Sequence, residues 1–328
     1  MSFVGGISGE ILLTTPERDI KIMKETKKLK IVYLCDPTNP RLPDKEILYS
    51  LKKKAEVKVL DIRKIDLKKS IKKVLGCDLV LFHGQMGRFD RATYFFILER
   101  LKILLEGTEA KKVLWILDKV WGERFELLMY FYDSVDYIFT SDDTWARRFQ
   151  SEKIFPLHPA ASERKIIGKF KKELACDIAL IGEIYGGREK ELKFLKDKFG
   201  GRIKVFNTKY GRDLADLCKS AKVIVVPQSP FDDFFWSDRI YKILSYGGFC
   251  LHPRAYGLKQ EGFKEGVHYM DYYSETELFV MLQMLLDKEA DKSRKKMAKE
   301  GKVFVMNNHT YDKRIDEIIS KTNINNES

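Results

Sequence analysis

Three stretches of this chain put charged or proton-carrying side chains where an apolar run gives way to a turn. The first is Gly182-Glu183-Ile184-Tyr185-Gly186-Gly187-Arg188, between an apolar strand pattern at 177–181 and a helical one running to 199. Small residues at a helix N-terminus let backbone N–H groups approach a phosphate, and a guanidinium such as Arg188 can pair with it through two parallel hydrogen bonds. An ordinary strand-to-helix turn needs one glycine rather than the three found here. The second is Ser237-Asp238-Arg239, which opens a helix after a proline-broken loop. Ser237 suits an N-cap and Asp238 the positive end of a helix dipole. Arg239 can neutralise an anionic leaving group, and Lys242, one turn on, faces phosphate or solvent. The third is His83, which ends the apolar run 78–82 and precedes Gly84 and Gly87. An imidazole at a strand end can take a proton from a hydroxyl or simply cap the strand. Asp118, after the strand pattern 113–117, and Asp90 are the first-half carboxylates with the same ambiguity; Asp90 also fits a helix cap. Tyr185 and Trp236 are placed either to line a pocket or to fill a core.

Other chemistries have no pattern to support them. His158, His252, His268 and His309 have no metal-ligand spacing, and Asp142-Asp143 is not a metal-binding diacid motif. The turn at 36–40 lacks a glycine fingerprint, which argues against a dinucleotide site in the first half. Cys35, Cys77, Cys176, Cys218 and Cys250 are odd in number and widely spaced, so they read as free thiols in a reducing, cytoplasmic setting.

The elements that must carry these groups alternate along the chain. Strand patterns at 30–35, 57–62, 78–82, 113–117 and 137–140 are separated by helical patterns at 44–54, 67–75, 91–105 and 123–132. A strand-like piece at 154–158 then reaches a crossing near Pro159. The pattern restarts with strands at 177–181, 203–206 and 222–226, helices at 213–220 and around 240–246, and a strand at Phe249. Ser274 and Glu277 have capping-box spacing, and helices follow at 293–305 and 311–319. Such alternation predicts α/β domains with parallel sheets covered on both faces. The divisions are an extension at 1–28, a first domain at 29–158, a linker at 159–174, a second domain at 175–306 and a closing segment at 307–328.

The chain has 328 residues, 44% of them hydrophobic and 12% aromatic, enough for two packed cores. No uncharged apolar run is long enough to span a bilayer, and the first residues lack the charge pattern of a secretory leader. The formal charge of +12 is shared evenly between the two halves, which speaks against a basic nucleic-acid tail. One local excess stands out: Lys52 to Lys73 holds ten basic residues and three acidic ones. It reads as a solvated helix face, or as a patch for peripheral contact with an anionic membrane or a phosphorylated acceptor.

The segments SDRIYKILSYGGFCLHP, YGLKQEGFKEGVHYMDYYSETEL and NNHTYDKR resemble the C-terminal half of group-1-like glycosyltransferases, in particular the CgeB-like (spore maturation protein) branch, over about Asp177 to Arg314. The resemblance implies a GT-B fold, two Rossmann-like domains with parallel sheets facing across a cleft, and closing helices that cross back onto the first domain. It implies transfer of a sugar from a nucleotide-diphosphate donor, bound by the second domain, to an unidentified acceptor. Gly182, Tyr185, Gly187, Arg188, Ser237, Asp238, Arg239 and Lys242 would then serve the donor, with His83 or Asp118 as catalytic base. The leaving diphosphate would be held by helix dipoles and basic residues, without a metal or cofactor. Many members carry one Glu four residues into the helix and another eight residues earlier; this chain has Lys242 and Phe234 there. That departure keeps open a non-catalytic sugar- or nucleic-acid-binding protein; a nucleotide-sugar epimerase is the rival within enzymes.

Overall fold

The computed structural model describes residues 28–38, 43–83, 91–184, 187–207, 209–227 and 232–324. The short helix read near the N-terminus, Gly84, Gly87, Asp90 and Tyr185 lie outside the described residues. The first half builds six parallel strands in the order β2-β1-β3-β4-β5-β6: β1 Lys30–Cys35, β2 Glu56–Asp61, β3 Leu79–His83, β4 Lys111–Ile116, β5 Tyr137–Thr140 and β6 Ile154–Pro156. β1 and β3 are buried on both faces, which is why their sequences run as continuous apolar stretches rather than alternating. One face is covered by α2 (Leu67–Val74), α3 (Arg91–Glu106) and α4 (Glu123–Phe131), with Val32, Leu34, Phe82, Leu101 and Leu128 in its core. The other face is covered by α1 (Asp44–Lys54), whose Ile47 and Leu51 pack on Ile31, Tyr33 and Trp115.

The second half restarts with β7 (Cys176–Ile181) and builds a five-stranded parallel sheet, β11-β10-β9-β7-β8. Its strands are β8 Ile203–Phe206, β9 Ala221–Val225, β10 Cys250–Pro253 and β11 Met270–Tyr272. Helices α6 (Gly187–Phe199), α7 (Gly211–Ser220) and α8 (Arg239–Ser245) follow β7, β8 and β9 in turn. α9 (Tyr256–Gln260) follows β10, and α10 (Glu275–Leu285) and α11 (Asp291–Asn308) follow β11. Both halves are therefore Rossmann-like. The last helix, α12 (Tyr311–Lys321), leaves this domain: Tyr311, Ile315, Ile318 and Ile319 are buried against Trp115, Ile47 and Leu51 of the first.

Three elements have no counterpart in the sequence reading: α9, β11 and α5 (Asp143–Phe149). α5 has only seven residues and ends at Gln150 in a left-handed conformation (φ 42°), so two turns carried too little periodicity to register. Its start is marked by Asp142, whose side chain accepts from the Thr144 N–H at 3.1 Å. The expected N-cap Ser237 is displaced by one position. α8 begins after Asp238, and the Ser237 hydroxyl accepts from the Arg239 N–H at 3.3 Å. The capping box at Ser274 is half made: its hydroxyl takes the Glu277 N–H, but the Glu277 carboxylate accepts from Tyr273 N rather than Ser274 N.

Candidate active site

In both sheets the strand order reverses once, between β1 and β3 and between β7 and β9. Connections on either side of such a reversal leave in opposite directions and open a crevice at the carboxyl ends of the strands. β3 delivers His83 to the first crevice, and the turns after β7 and β9 deliver Gly182 and Arg239 to the second. The carboxyl edges of the two sheets meet. Lys119, after β4, pairs with Asp232 after β9; the Asp143 N–H donates to Phe234 O at 3.2 Å; and the Arg147 guanidinium lies 4.8 Å over the Phe234 ring.

On the second domain, Gly182 has φ +147°, and a Cβ there would lie 3.6 Å from Arg239 Cζ and Nη2 and 3.7 Å from Arg188 Nη1. Two guanidinium groups from separate strand–helix units thus converge beside one buried glycine at the head of β7. Arg188 is buried in the first turn of α6 and donates to Glu183 O at 3.0 Å. Arg239 donates to the Ser237 hydroxyl at 3.0 Å, and among the described residues no carboxylate forms an ion pair with it. Two like charges held together stabilise neither the fold nor each other; they suit a polyanion arriving between them. Gly187 is the first residue of α6, whose N-terminus also favours an anion.

Asp238 points elsewhere. It forms an ion pair with Lys242 one turn along α8, and the Lys242 ammonium stands 5.9 Å over the Tyr210 ring. Burial would raise the Asp238 carboxyl, but Lys242 and Arg239 overcome it and hold the group below its ordinary range. Lys242, where many members of the family the sequence resembles carry a Glu, is thus a cation already engaged with its own helix. His252, at the end of β10, is fully buried; desolvation, with help from Arg239, lowers it to about 4. It is neutral, with Nδ1 2.6 Å from Pro253 O, and Nε2 has no hydrogen-bond partner among the described residues.

Glu191, one turn beyond Arg188, was not legible as a site residue. It is buried, accepts from the Tyr272 hydroxyl at 2.9 Å, and desolvation pushes it up to about 7 against the opposing pull of Tyr272 and Arg188.

On the first domain His83 is only 2% exposed, and its Nε2 lies 2.5 Å from Asp44 Oδ1. The same oxygen accepts from the Tyr33 hydroxyl at 2.6 Å. His83 is therefore not the open-faced base that a strand-end histidine suggests, but one member of a buried Tyr33–Asp44–His83 cluster at the strand reversal. Asp44 carried one sequence signal, an acidic residue at a helix start after Pro43, which reads as a dipole residue until the fold places it under His83. Asp118 turns away to Arg124, at 2.8 Å, and sits beside the Lys119–Asp232 contact rather than with His83.

Tyr311 of α12 is buried against the first domain, its ring 6.1 Å from that of Trp115, and burial raises its phenol well above the ordinary value. Trp236 packs against the end of the first domain: its ring stacks on His158 at 3.8 Å and its Nε1 donates to the Tyr241 hydroxyl at 3.0 Å. Asp143 Oδ1 lies 3.0 Å from His158 Nε2.

Residues 163–320 match the family model described as glycosyl transferase-like. No curated protein matches the chain. Among solved structures, an alpha-glucosyltransferase in complex with UDP and a 13-mer DNA containing an HMU base is 10% identical, with a TM-score of 0.65 over 90% of this chain and 100% of that one. Anabaena Alr3699/HepE in complex with UDP and glucose is 10% identical, with a TM-score of 0.63 over 89% and 99%. A glycosyltransferase from Rickettsia africae ESF-5 is 10% identical, with a TM-score of 0.56 over 92% and 100%. The protein has the GT-B fold, and its second half is similar in sequence to the glycosyl transferase-like family.

Proposed function

We propose that the protein transfers a glycosyl group from a nucleoside-diphosphate sugar to an acceptor hydroxyl. The observation that carries this reading is the convergence of Arg188 and Arg239 over Gly182. In the reaction the acceptor oxygen bonds to the anomeric carbon while the bond from that carbon to the diphosphate oxygen breaks, its electron pair leaving with the diphosphate. Negative charge grows on the phosphates in an oxocarbenium-like transition state, and preplaced guanidinium groups stabilise it without reorganising. In an inverting reaction the hydroxyl proton goes to His83, oriented by Asp44; with retention His83 would contact sugar or phosphate instead. UDP-sugars are the first donors to test, because HepE and the alpha-glucosyltransferase were solved with UDP or UDP-glucose.

The reading includes metal independence, since the countercharge comes from arginines, and no cofactor. It also includes membership of the CgeB-like branch, on the strength of the segment from Ser237 to Pro253, and a cytoplasmic setting, on the strength of five free cysteines. The experiment is a thermal-shift screen across nucleotide sugars followed by donor-hydrolysis and transfer assays, each with and without EDTA. Binding and turnover unchanged by EDTA support the proposal; no nucleotide binding refutes it. Nucleotide binding without hydrolysis or transfer supports a non-catalytic sugar-binding protein, which the Lys242–Asp238 pair favours.

A further inference from the structure

The two faces of the first sheet use their lysines differently. On the face of α1 and α12, Lys53 and Lys54 pair with Asp312 and Asp316, each at 2.6 Å, so this arm of the basic run holds the closing helix in place. The rest of the run lies on the opposite face: from Asp61 to Lys73 there are six basic residues and two acidic ones. α2 buries Ser70 and Val74 and exposes Lys68, Lys69, Lys72 and Lys73. Among the described residues, no carboxylate lies within ion-pair distance of Lys64, Lys68, Lys72 or Lys73; Asp61 is taken by Arg63, and Asp66 lies 3.7 Å from Lys69.

Large apolar side chains are exposed on the same face. Leu75 at the end of α2 is 58% exposed, and Phe96 and Ile103 on the neighbouring α3 are 56% and 45% exposed. Between the two elements is a cavity of about 540 Å³ lined by Arg63, Lys64, Asp66, Lys68, Phe96 and Arg100, four cations against one carboxylate. Arg100 is fixed there, its guanidinium 4.1 Å over the Phe96 ring and its Nη1 donating to Ile65 O at 2.6 Å. Clustered lysines repel one another and exposed apolar groups cost free energy in water, so a partner that relieves both must be anionic and have an apolar layer beneath its charge. A nucleic acid satisfies the first condition but not the second: Leu75 and Ile103 are aliphatic, and the Arg100 guanidinium covers one face of the Phe96 ring.

We propose that the α2–α3 face docks on a bilayer containing anionic phospholipids, with the cavity receiving a headgroup. The lysines lie along the charged plane, and Phe96, Ile103 and Leu75 enter the headgroup boundary. The cavity follows the carboxyl end of β2, on the same sheet edge as His83, so docking brings the membrane to the acceptor side of the cleft. The inference is independent of any donor chemistry.

The test is co-sedimentation of the full chain with vesicles of phosphatidylcholine alone or with about 30% phosphatidylglycerol. Binding to the anionic vesicles alone is expected. Lys68→Glu with Lys72→Glu should weaken it at least about tenfold, and the milder Lys68→Gln with Lys72→Gln should weaken it measurably without challenging the fold. Phe96→Ser with Ile103→Ser should still bind at low salt but release at a salt concentration the parent protein withstands. Equal binding to neutral vesicles, or anionic binding indifferent to either lysine variant, overturns the proposal. Absence of vesicle binding together with lysine-dependent binding of duplex DNA overturns it in favour of a nucleic acid.

Discussion

Replacing Arg239 with alanine separates a binding role from a structural one. Among the described residues its side chain donates only to the Ser237 hydroxyl, two positions away, and it lies half-buried at the first turn of α8. Removing such a group costs the fold about 0.5 kcal/mol or less. A diphosphate seated between Arg188 and Arg239 would meet a unit positive charge at about 4 Å, worth about 4 kcal/mol at an effective dielectric of 20. Partial exposure reduces that figure, and a charge-assisted hydrogen bond contributes about 1.5–3 kcal/mol. A loss of about 2–3 kcal/mol, or roughly 30–150-fold in affinity, is the expectation. Isothermal titration of UDP against Arg239→Ala reads the affinity, and a melting curve should fall by no more than about 2 °C. Arg239→Lys should recover part of the loss, since it keeps the charge but not the fork. Arg202→Ala, which removes a surface partner of Asp177, is the control. Affinity within about threefold of the parent in a folded variant would refute the diphosphate assignment.

His83→Ala should lower kcat on the order of a hundredfold with donor affinity little changed, and Asp44→Asn should lose a comparable factor; a larger loss in Asp118→Asn would move the base there. Glu191 contributes a pH dependence of stability. Its folded pKa is raised from 4.5 to about 7, so its stabilising contribution is full below the unfolded value and lost as pH rises through about 7. Urea unfolding between pH 5 and pH 8 should show the parent losing up to about 3 kcal/mol relative to Glu191→Gln; parallel curves would contradict the buried carboxyl. Gly257→Ala should destabilise by about 1–3 kcal/mol, because its Cβ would lie 2.2 Å from Trp236 Cζ3 in a ring stacked on His158; an unchanged melting temperature would show that the ring can move aside.

The strands and long helices were legible because burial on two faces leaves a simple mark. KIVYLC is apolar after its first lysine and LVLFH up to its final histidine, and helix α1 has the predicted bounds because acidic residues open it and three lysines close it. The short elements were not legible: α5, α9 and β11 are stabilised by tertiary contacts rather than by periodicity. The sequence put Arg188 and Arg239 at helix starts, and the fold brings both beside Gly182. What each carboxylate does was not readable. Asp238 is neutralised within its own helix, Asp118 by Arg124, and Asp44 gains its place under His83 only when β1 and β3 become neighbours across about fifty residues of sequence.

The loop after β9 has a mechanical consequence. Its Asp232 and Phe234 are gripped by Lys119, Asp143 and Arg147 of the first domain, and five residues beyond Phe234 the same chain sets the guanidinium of Arg239 in the second. Any motion that parts the two sheets must therefore either release those three contacts or pull on the segment that positions Arg239. An anion held by Arg239 is thermodynamically linked to the separation of the domains: whatever steadies that guanidinium disfavours opening, and opening loosens the hold on the anion by the same factor. Release of a bound anion and parting of the two sheets would then be coupled through one ion pair and one aromatic ring.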